Sequence, residues 1–240
     1  MIDYTIKRKS KYEFNSNVLL NNDDTSYYLL GAYMTDGCIS TRKHHRSFSL
    51  TSMDAEWIET IRDLFSPTKP LFESKRDCGK TLENSNDECM NWLISYGCTP
   101  NKSKTLKIEK EIPELYHRDF IRGVVDGDGS VNYCDYNKYK NGKTYMYKKT
   151  NVYISSASEQ FLLSIKDMIP KNINCQFINC GKKDGGTING RKVIATCNNY
   201  RLCFNDSYAK LFLQWIYYPD HKISMKRKRD KSMLILGINL

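Results

Sequence analysis

The feature that most constrains the fold is a short pattern that occurs twice, once in each half of the chain. Residues 29–37 read LLGAYMTDG, and residues 121–129 read IRGVVDGDG. Both copies carry helix-like apolar spacing up to a carboxylate. Three positions hold the same residue in both copies: Gly31 and Gly123, Asp36 and Asp128, and Gly37 and Gly129. A chain with two copies of one carboxylate-tipped helix is expected to fold as two related halves.

The duplication extends well beyond this pattern. Residues 51–65, TSMDAEWIETIRDLF, align without gaps on residues 155–169, SSASEQFLLSIKDMI, and in both stretches the apolar residues follow helical spacing. Residues 87–96 match residues 207–216 more weakly, and both have the pattern of amphipathic helices. The repeat therefore runs through the whole chain.

Strands are predicted between these helices. In RSFSLTS, Phe48 and Leu50 alternate with polar residues, and in TNVYISS, Val152 and Ile154 do the same, which indicates one buried face in each strand. The second motif helix is predicted to begin at Pro113, a favoured first-turn residue. We predict an α+β fold, a pseudo-two-fold duplication of an αββαββα unit with two antiparallel sheets and the motif helices at the interface. The predicted boundaries are an N-terminal polar arm, 1–24, a first half, 25–104, a linker, 105–112, a second half, 113–231, and a C-terminal tail, 232–240.

The charge balance indicates the kind of partner. Lys and Arg number 37 against 27 Asp and Glu, which gives a formal net charge of +10. Such an excess favours a polyanionic partner, with nucleic acid ahead of an acidic membrane surface.

The cysteines favour neither a zinc site nor a disulfide framework. There are 9 cysteines, no CxxC pair, and only 4 histidines. No apolar run reaches the length of a membrane span, and MIDYTIKRKSKYEF does not read as a signal peptide. We therefore expect an intracellular protein with reduced cysteines, and leave open whether it is organellar or of phage or bacterial origin.

Small residues are spaced along one side of each motif helix. Gly31 and Thr35 are four positions apart in the first, and Gly123 and Gly127 in the second. Residues at this spacing share a helix face, and small side chains let two backbones approach closely. We predict that the two motif helices pack together through this face, with Gly31 and Gly123 at the contact.

That packing would place Asp36 and Asp128 side by side. Two neighbouring carboxylates repel each other, and the negative end of each helix dipole disfavours them further. A cation between them removes both penalties, and carboxylate oxygens with room for water and phosphate suit Mg²⁺. The sequence therefore predicts a divalent metal site on these two acids.

Other interpretations of the motif fit the sequence less well. Asp126 aligns with Met34 in the first copy, so we assign it to helix capping or solvent rather than to the metal. An EF-hand loop beginning at Asp126 is excluded, because Val131 stands where glycine is required and Asn137 where glutamate is required. Simple helix stops ending in Asp-Gly would explain one copy, but two copies within a chain-long duplication favour a functional role.

These stretches together resemble the LAGLIDADG homing endonucleases of the two-motif, single-chain kind. The resemblance rests on LLGAYMTDG, on IRGVVDGDG with the RDF before it, on GCTPNKSKTLKIEKEIPE between the halves, and on SYAKLFLQWIYYPDHKISMKRK near the end. It covers roughly residues 25–230. It implies that the two sheets form a DNA-binding saddle over a target of roughly 20 base pairs.

The resemblance also implies an activity and its residues. A member of this family makes a staggered double-strand break in DNA by metal-dependent phosphodiester hydrolysis. Asp36 and Asp128 would be the catalytic and metal-binding acids, and the backbone carbonyls of Thr35 and Gly127 would be further ligands. Basic residues near the metal would assist, with Lys102, Lys104 and Lys222 as candidates.

Outward strand residues would contact the DNA, because Arg and Lys pair with guanine edges and phosphates. In the first half the predicted contacts are Arg42, Lys43, His44, Arg46, Lys75 and Arg76. In the second half they are Lys138, Lys140, Lys143, Tyr145, Tyr147, Lys149, Lys182, Lys183, Arg191, Lys192 and Arg201. The basic run 225–231 is expected to bind phosphate.

Two other functions fit the same resemblance. An RNA-binding maturase that helps its intron splice is the strongest alternative, and a catalytically silent DNA-binding protein of the same fold is the other. An intact acid in both halves favours the nuclease. Because one chain supplies both halves of the site, we expect a monomer.

Overall fold

The computed structural model describes residues 11–42, 45–73, 79–182, 185–188, 191–193 and 197–238. In the first half the order is α1 (Asn17–Leu20), α2 (Asp24–Thr35), β1 (Gly37–Arg42), β2 (His45–Ser52), α3 (Ala55–Phe65), β3 (Phe72–Glu73), β4 (Lys80–Asn84) and α4 (Asp87–Ser95). Two 3-10 turns follow, Lys102–Lys104 and Glu114–Tyr116. The second half contains α5 (His117–Asp128), β5 (Gly129–Lys140), β6 (Lys143–Ser156), α6 (Glu159–Met168), β7 (Gln176–Asn179), β8 (Gly185–Ile188), β9 (Arg191–Val193), β10 (Tyr200–Asn205) and α7 (Asp206–Ile216), and α8 (Lys226–Leu236) closes the fold.

The two halves have the same topology. One sheet has the strand order β1-β2-β4-β3 and the other the order β5-β6-β10-β7, and all pairings within them are antiparallel. The predicted α+β fold with a duplicated αββαββα unit is confirmed. The second half adds a two-stranded sheet, β8-β9, and extends β5 and β6 into a hairpin. The exact domain boundaries stay a prediction.

One face of each sheet packs on helices. Phe48 and Leu50 in β2 are fully buried, and so are Val152 and Ile154 in β6. Because side chains alternate along a strand, the residues between them lie on the opposite face of each sheet. We call these opposite faces the open faces. The predicted alternation therefore defines which strand residues are available to a partner.

Two local predictions differ from the structure. The second motif helix begins at His117 rather than at Pro113, because Pro113 has an extended ψ of 136° and residues 114–116 form a 3-10 turn. The arm is not wholly polar either, since α1 lies within it and buries Val18 and Leu19. Across the described ranges, no helix is both long enough and apolar enough to cross a membrane.

Candidate metal centre and nucleic-acid interface

The site is built on the close packing of α2 against α5. A Cβ added at Gly31 would overlap the carbonyl oxygen of Phe120, and one added at Gly123 would overlap the carbonyl oxygen of Tyr28. The added Cβ at Gly123 would also lie 3.0 Å from the backbone nitrogen of Ala32. Glycine at these positions lets the two backbones touch. The helix crossing thus brings the ends of α2 and α5 together.

Both predicted acids lie at these helix ends. Asp36 is the C-cap of α2, and Asp128 is the last residue of α5. A Cβ added at Gly127 would be 2.8 Å from the Cβ of Thr35 and 3.5 Å from Oδ2 of Asp36, so the end of α5 contacts the end of α2. The two acids therefore face one centre between the halves.

The electrostatics of the acids agree with this placement. Burial, and after it the charge of Asp128, raises the pKa of Asp36 to about 6. Burial also raises the pKa of Asp128, although this is the more exposed of the two residues. The ammonium groups of Lys228 and Lys102 oppose both shifts. Two acids with raised pKa values and nearby lysines are typical of a functional site.

The two lysines are held in place by backbone carbonyls. Lys102 is 7% exposed, and its Nζ donates to the carbonyl of Gly37, just after the first acid. Lys228 is 6% exposed, and its Nζ donates to the carbonyls of Val125, Asp126 and Gly127 at 2.8, 2.6 and 2.9 Å. Both lysines therefore bring a positive charge to the ends of the motif helices.

Sequence reasoning found only one of these lysines. Lys102 is a candidate from the sequence for a basic residue near the metal. Lys228 is one of several cations in the run 225–231, and nothing in the sequence distinguishes it from its neighbours. Lys222 pairs with Asp24 at 2.8 Å, at the opposite end of α2 from the acids.

The oxygens at this centre fit a hard divalent cation. Among the residues that the structure describes, none donates a hydrogen bond to the carboxylate of Asp36 or Asp128. The carbonyl of Gly127 already accepts one hydrogen bond from Lys228, which leaves its second lone pair. No group of three or more His, Cys, Asp or Glu side chains in the described ranges could hold a metal. A cation here would complete its shell with water or substrate oxygens, as Mg²⁺ does.

A cleft of about 300 Å³ opens beside Asp36. Asp36, Gly127 and Lys228 line it, together with Asp54 and Arg227. The guanidinium of Arg227 pairs with the carboxylate of Asp54 through two hydrogen bonds, at 2.9 and 2.8 Å. The cleft thus places two cations, Arg227 and Lys228, near Asp36.

Asp126 does not face solvent, and it does not cap its own helix. It is 0% exposed, and its carboxylate accepts hydrogen bonds from the hydroxyls of Tyr28 and Tyr217 and from the backbone N–H of Met225, each at 2.7 Å. The assignment to solvent was wrong, and the helix end that the carboxylate binds is the start of α8 rather than its own helix. The donors come from α2 and from the segment after α7, which the repeat alignment does not bring together.

The open face of the second sheet carries most of the nucleic-acid contacts predicted for the second half. Tyr145 lies opposite Lys138, Lys143 opposite Lys140, and Lys149 opposite Cys134, on the side away from the buried valines of β5 and β6. By alternation, six predicted residues share this face: Lys138, Lys140, Lys143, Tyr145, Tyr147 and Lys149. The ring of Tyr147 stacks on that of Tyr136 at 5.5 Å. This face of β5, β6, β7 and β10, all within the described ranges, contains no acidic residue.

Arg201 lies on the same face. Its register partner in β6 is Ser155, whose hydroxyl accepts a hydrogen bond from Nε at 3.1 Å, and its guanidinium lies 5.4 Å from the ring of Tyr153. Lys182 is exposed in the segment after β7. The second sheet therefore presents a basic, tyrosine-rich surface.

In the first half, the structure separates two predicted arginines. Arg42 is exposed on the open face, opposite His45. Arg46 lies on the helix-packed side of β2 with Phe48, and its Nε pairs with Asp87 of α4 at 3.0 Å. The prediction that Arg46 faces outward is wrong, because strand alternation turns it toward α4. Lys43, His44, Lys75, Arg76 and Lys183 lie outside the described residues, as do the side chains of Arg191 and Lys192.

Solved structures share this fold. The I-LtrWI LAGLIDADG homing endonuclease bound to target DNA matches with a TM-score of 0.56 at 12% identity, over 92% of this chain and 90% of that chain. The LAGLIDADG meganuclease I-AabMI bound to uncleaved DNA matches with a TM-score of 0.53 at 12% identity, over 88% of this chain and 90% of that chain. The meganuclease I-SmaMI bound to uncleaveable DNA gives 0.53 at 10% identity, over 85% and 86%. No protein-family model and no curated protein matches the chain. The chain has the fold of the LAGLIDADG homing endonucleases.

Proposed function

We propose that this protein is a site-specific homing endonuclease that makes a staggered double-strand break in a long DNA target. The observation that carries the proposal is the pair Asp36 and Asp128, which lie together at the ends of two packed helices, each beside a buried lysine. The centre lies between two related halves, each with an open sheet face, so one site can serve both strands of a duplex.

The open faces are the proposed DNA-binding surfaces. A sheet or β-ribbon can lie in the major groove, and two of them suggest a target of roughly 20 base pairs. On the second sheet, Lys138, Lys140, Lys143 and Lys149 supply positive charge for phosphates and guanine edges. The tyrosines between these lysines can hydrogen-bond to the DNA through their hydroxyls and pack their rings against the groove. I-LtrWI and I-AabMI, which share the fold, were solved on DNA.

Asp36 and Asp128, with the carbonyls of Thr35 and Gly127, would hold Mg²⁺ ions. Bound there, such an ion supplies a water of lowered pKa and stabilises the leaving oxygen of the phosphodiester. I-SmaMI, which shares the fold, was solved on an uncleaved DNA target in the presence of calcium ions. A cation there would also offset the burial of Asp36 and its repulsion from Asp128, which together raise the pKa of Asp36.

Lys102 and Lys228 would stabilise the charge that develops on the phosphate. Both ammonium groups are fixed by backbone carbonyls before substrate binds, so they need little reorganisation when it reacts. An ammonium acts on phosphate as a compact point charge. We propose a monomer, because the single chain supplies both acids and both lysines.

A cleavage selection tests the proposal. A randomised double-stranded DNA library is incubated with Mg²⁺ and either the wild-type protein or the Asp36→Asn or Asp128→Asn variant. Recovery of one long site cut by the wild type and by neither variant supports the nuclease. DNA that is bound but never cut would refute it in favour of a silent binding protein. A protein that neither binds nor cuts DNA would refute the proposal in favour of RNA binding. Intron splicing would then be assayed.

A further inference from the structure

We propose that Asp126 is a positioning residue that anchors α8 on α5 and thereby places Lys228 at the cleavage centre. This inference rests on the proposed function, and it gives a role to a carboxylate that has no counterpart in the first copy of the motif.

Asp126 is a buried carboxylate with three donors from distant parts of the chain. The hydroxyl of Tyr28 and the backbone N–H of Met225 both donate to Oδ2, and the hydroxyl of Tyr217 donates to Oδ1. The hydroxyl of Tyr28 in turn accepts a hydrogen bond from Nε1 of Trp57 at 2.7 Å. One carboxylate thus connects both motif helices, α3, and the segment that leads into α8.

This anchor acts directly on the start of α8. Met225 is the N-cap of that helix, and its backbone N–H is one of the three donors to Asp126. Lys228 lies in the first turn that follows, and its Nζ reaches the carbonyls of residues 125–127. Residue 126 therefore holds α8 twice, through its carboxylate and through its carbonyl.

Arg122, which is 1% exposed, donates to the carbonyls of Ile216 and Ile223 and so holds the chain before α8 begins. The ion pairs that hold the segment are more exposed and are expected to contribute less. Lys222 pairs with Asp24, Lys226 with Glu56 at 3.5 Å, and Arg227 with Asp54; the side chains of the three cations are 60%, 57% and 64% exposed. Exposed ion pairs typically contribute little to stability. Desolvated hydrogen bonds to a carboxylate are shorter and stronger. Arg122 thus holds residues 216 and 223, and Asp126 holds the N-cap of α8 at Met225.

Among the described residues of the first half, no side chain is an equivalent anchor. The position that aligns with Asp126 is Met34, which is 1% exposed and has no group that could take three donors. Lys102 reaches the centre from a 3-10 turn and uses the carbonyl of Gly37 instead. Asp126 should consequently act through Lys228 and leave Lys102 in place.

Hydrogen–deuterium exchange and single-turnover cleavage of the selected site test this role. Asp126→Asn keeps the size of the side chain but cannot accept from all three donors. We expect amide exchange in residues 217–232 of the DNA-free protein to accelerate at least about 10-fold. We expect the single-turnover rate per folded molecule to fall at least about 10-fold, since small misplacements of catalytic groups have large effects, with the Kd for DNA within about 3-fold of wild type.

A matched pair of tyrosines and a double variant separate positioning from general destabilisation. Tyr217→Phe removes one donor to Asp126 and should lower the rate, whereas Tyr218→Phe removes a donor to Asp119 and should not. The double variant Asp126→Asn, Lys228→Met should have a single-turnover rate within about 3-fold of that of Lys228→Met alone. The losses should not add, because the two residues act as one unit.

The outcomes are distinguishable. Unchanged exchange in Asp126→Asn, an unchanged rate per folded molecule, or fully additive losses with Lys228→Met would overturn the positioning role while leaving the nuclease intact. A wild type that cuts no DNA would refute the proposed function. Faster exchange of residues 217–232 in Asp126→Asn would then still support the anchoring of α8.

Discussion

Without a bound cation, the two carboxylates at the helix interface should destabilise the folded protein, and replacing Asp36 by asparagine measures this cost. Burial and the charge of Asp128 raise the pKa of Asp36 from 3.8 to about 6 in the folded state. A raised carboxyl pKa means that the folded state binds protons more tightly than the unfolded state. The contribution of Asp36 to stability therefore becomes less favourable as pH rises from about 4 to about 6, and it stays unfavourable above that.

The size of the effect follows from the shift. A difference of about 2 pKa units corresponds to about 3 kcal/mol if solvent screening is ignored. Because the residue is only half-buried, we reduce this to about 1–2 kcal/mol. Asp36→Asn should raise the unfolding free energy of the metal-free protein by that amount near pH 8, or its Tm by about 2–8 °C. Near pH 3.5 most of the gain should disappear, because the wild-type carboxyl is then neutral in the folded state and mostly neutral in the unfolded state.

Urea unfolding in excess EDTA across this pH range is the assay. Asp167→Asn is the matched control, because it makes the same substitution at an exposed aspartate of α6 and should change little at any pH. Adding Mg²⁺ should stabilise the wild type more than Asp36→Asn, since the variant lacks one ligand. An Asp36→Asn variant that is less stable than wild type near pH 8 in EDTA, or equally stable at all pH values, would refute the reasoning.

Three further predictions concern the helix contact and the open faces. Gly123→Ala should lower the unfolding free energy by at least about 1–3 kcal/mol, because the added Cβ meets backbone atoms of α2 that cannot move without separating the helices. Thermal unfolding measures this loss, and an unchanged Tm would contradict the helix contact. Lys149→Ala should weaken DNA binding and reduce the slope of log K against log salt concentration by up to about 0.9. Lys148→Ala, on the other face of the same strand, should change neither quantity. Equal effects of the two variants would show that the open face is not the DNA surface. Arg42→Ala should likewise weaken DNA binding, whereas Arg46→Ala should mainly cost a small amount of stability, since the Arg46 side chain pairs with α4. Binding titrations in which Arg46→Ala weakens DNA binding more than Arg42→Ala would contradict the assigned faces.

Much of the fold follows from local signals in the sequence. Alternation at Phe48, Leu50, Val152 and Ile154 identifies the packed face of each sheet, and apolar spacing identifies the helices. The internal repeat is a second, independent signal, because it equates Asp36 with Asp128 without any alignment of other proteins. These features are encoded within a few residues of each other, so pattern reasoning reaches them.

Contacts between distant segments are not encoded in this way. Asp126 receives its donors from Tyr28, Tyr217 and Met225, which are 91 to 99 residues away in sequence. The repeat shows only that position 126 differs from its counterpart, and gives no partner for it. Lys228 is hidden for the same reason among the neighbouring cations. Arg46 is a different case, since Phe48 two residues later already indicates that Arg46 points toward the helices.

The central claim is that Asp36 and Asp128 form one metal-dependent centre that lies between two DNA-binding sheets. The most direct test is a crystal structure of the protein on its selected DNA with Mn²⁺, located by anomalous scattering. The account predicts ions in contact with both carboxylates, at about 2–2.5 Å from their oxygens, with DNA across the two open faces. Ions that contact neither acid, or DNA bound on the helix side of the sheets, would contradict it.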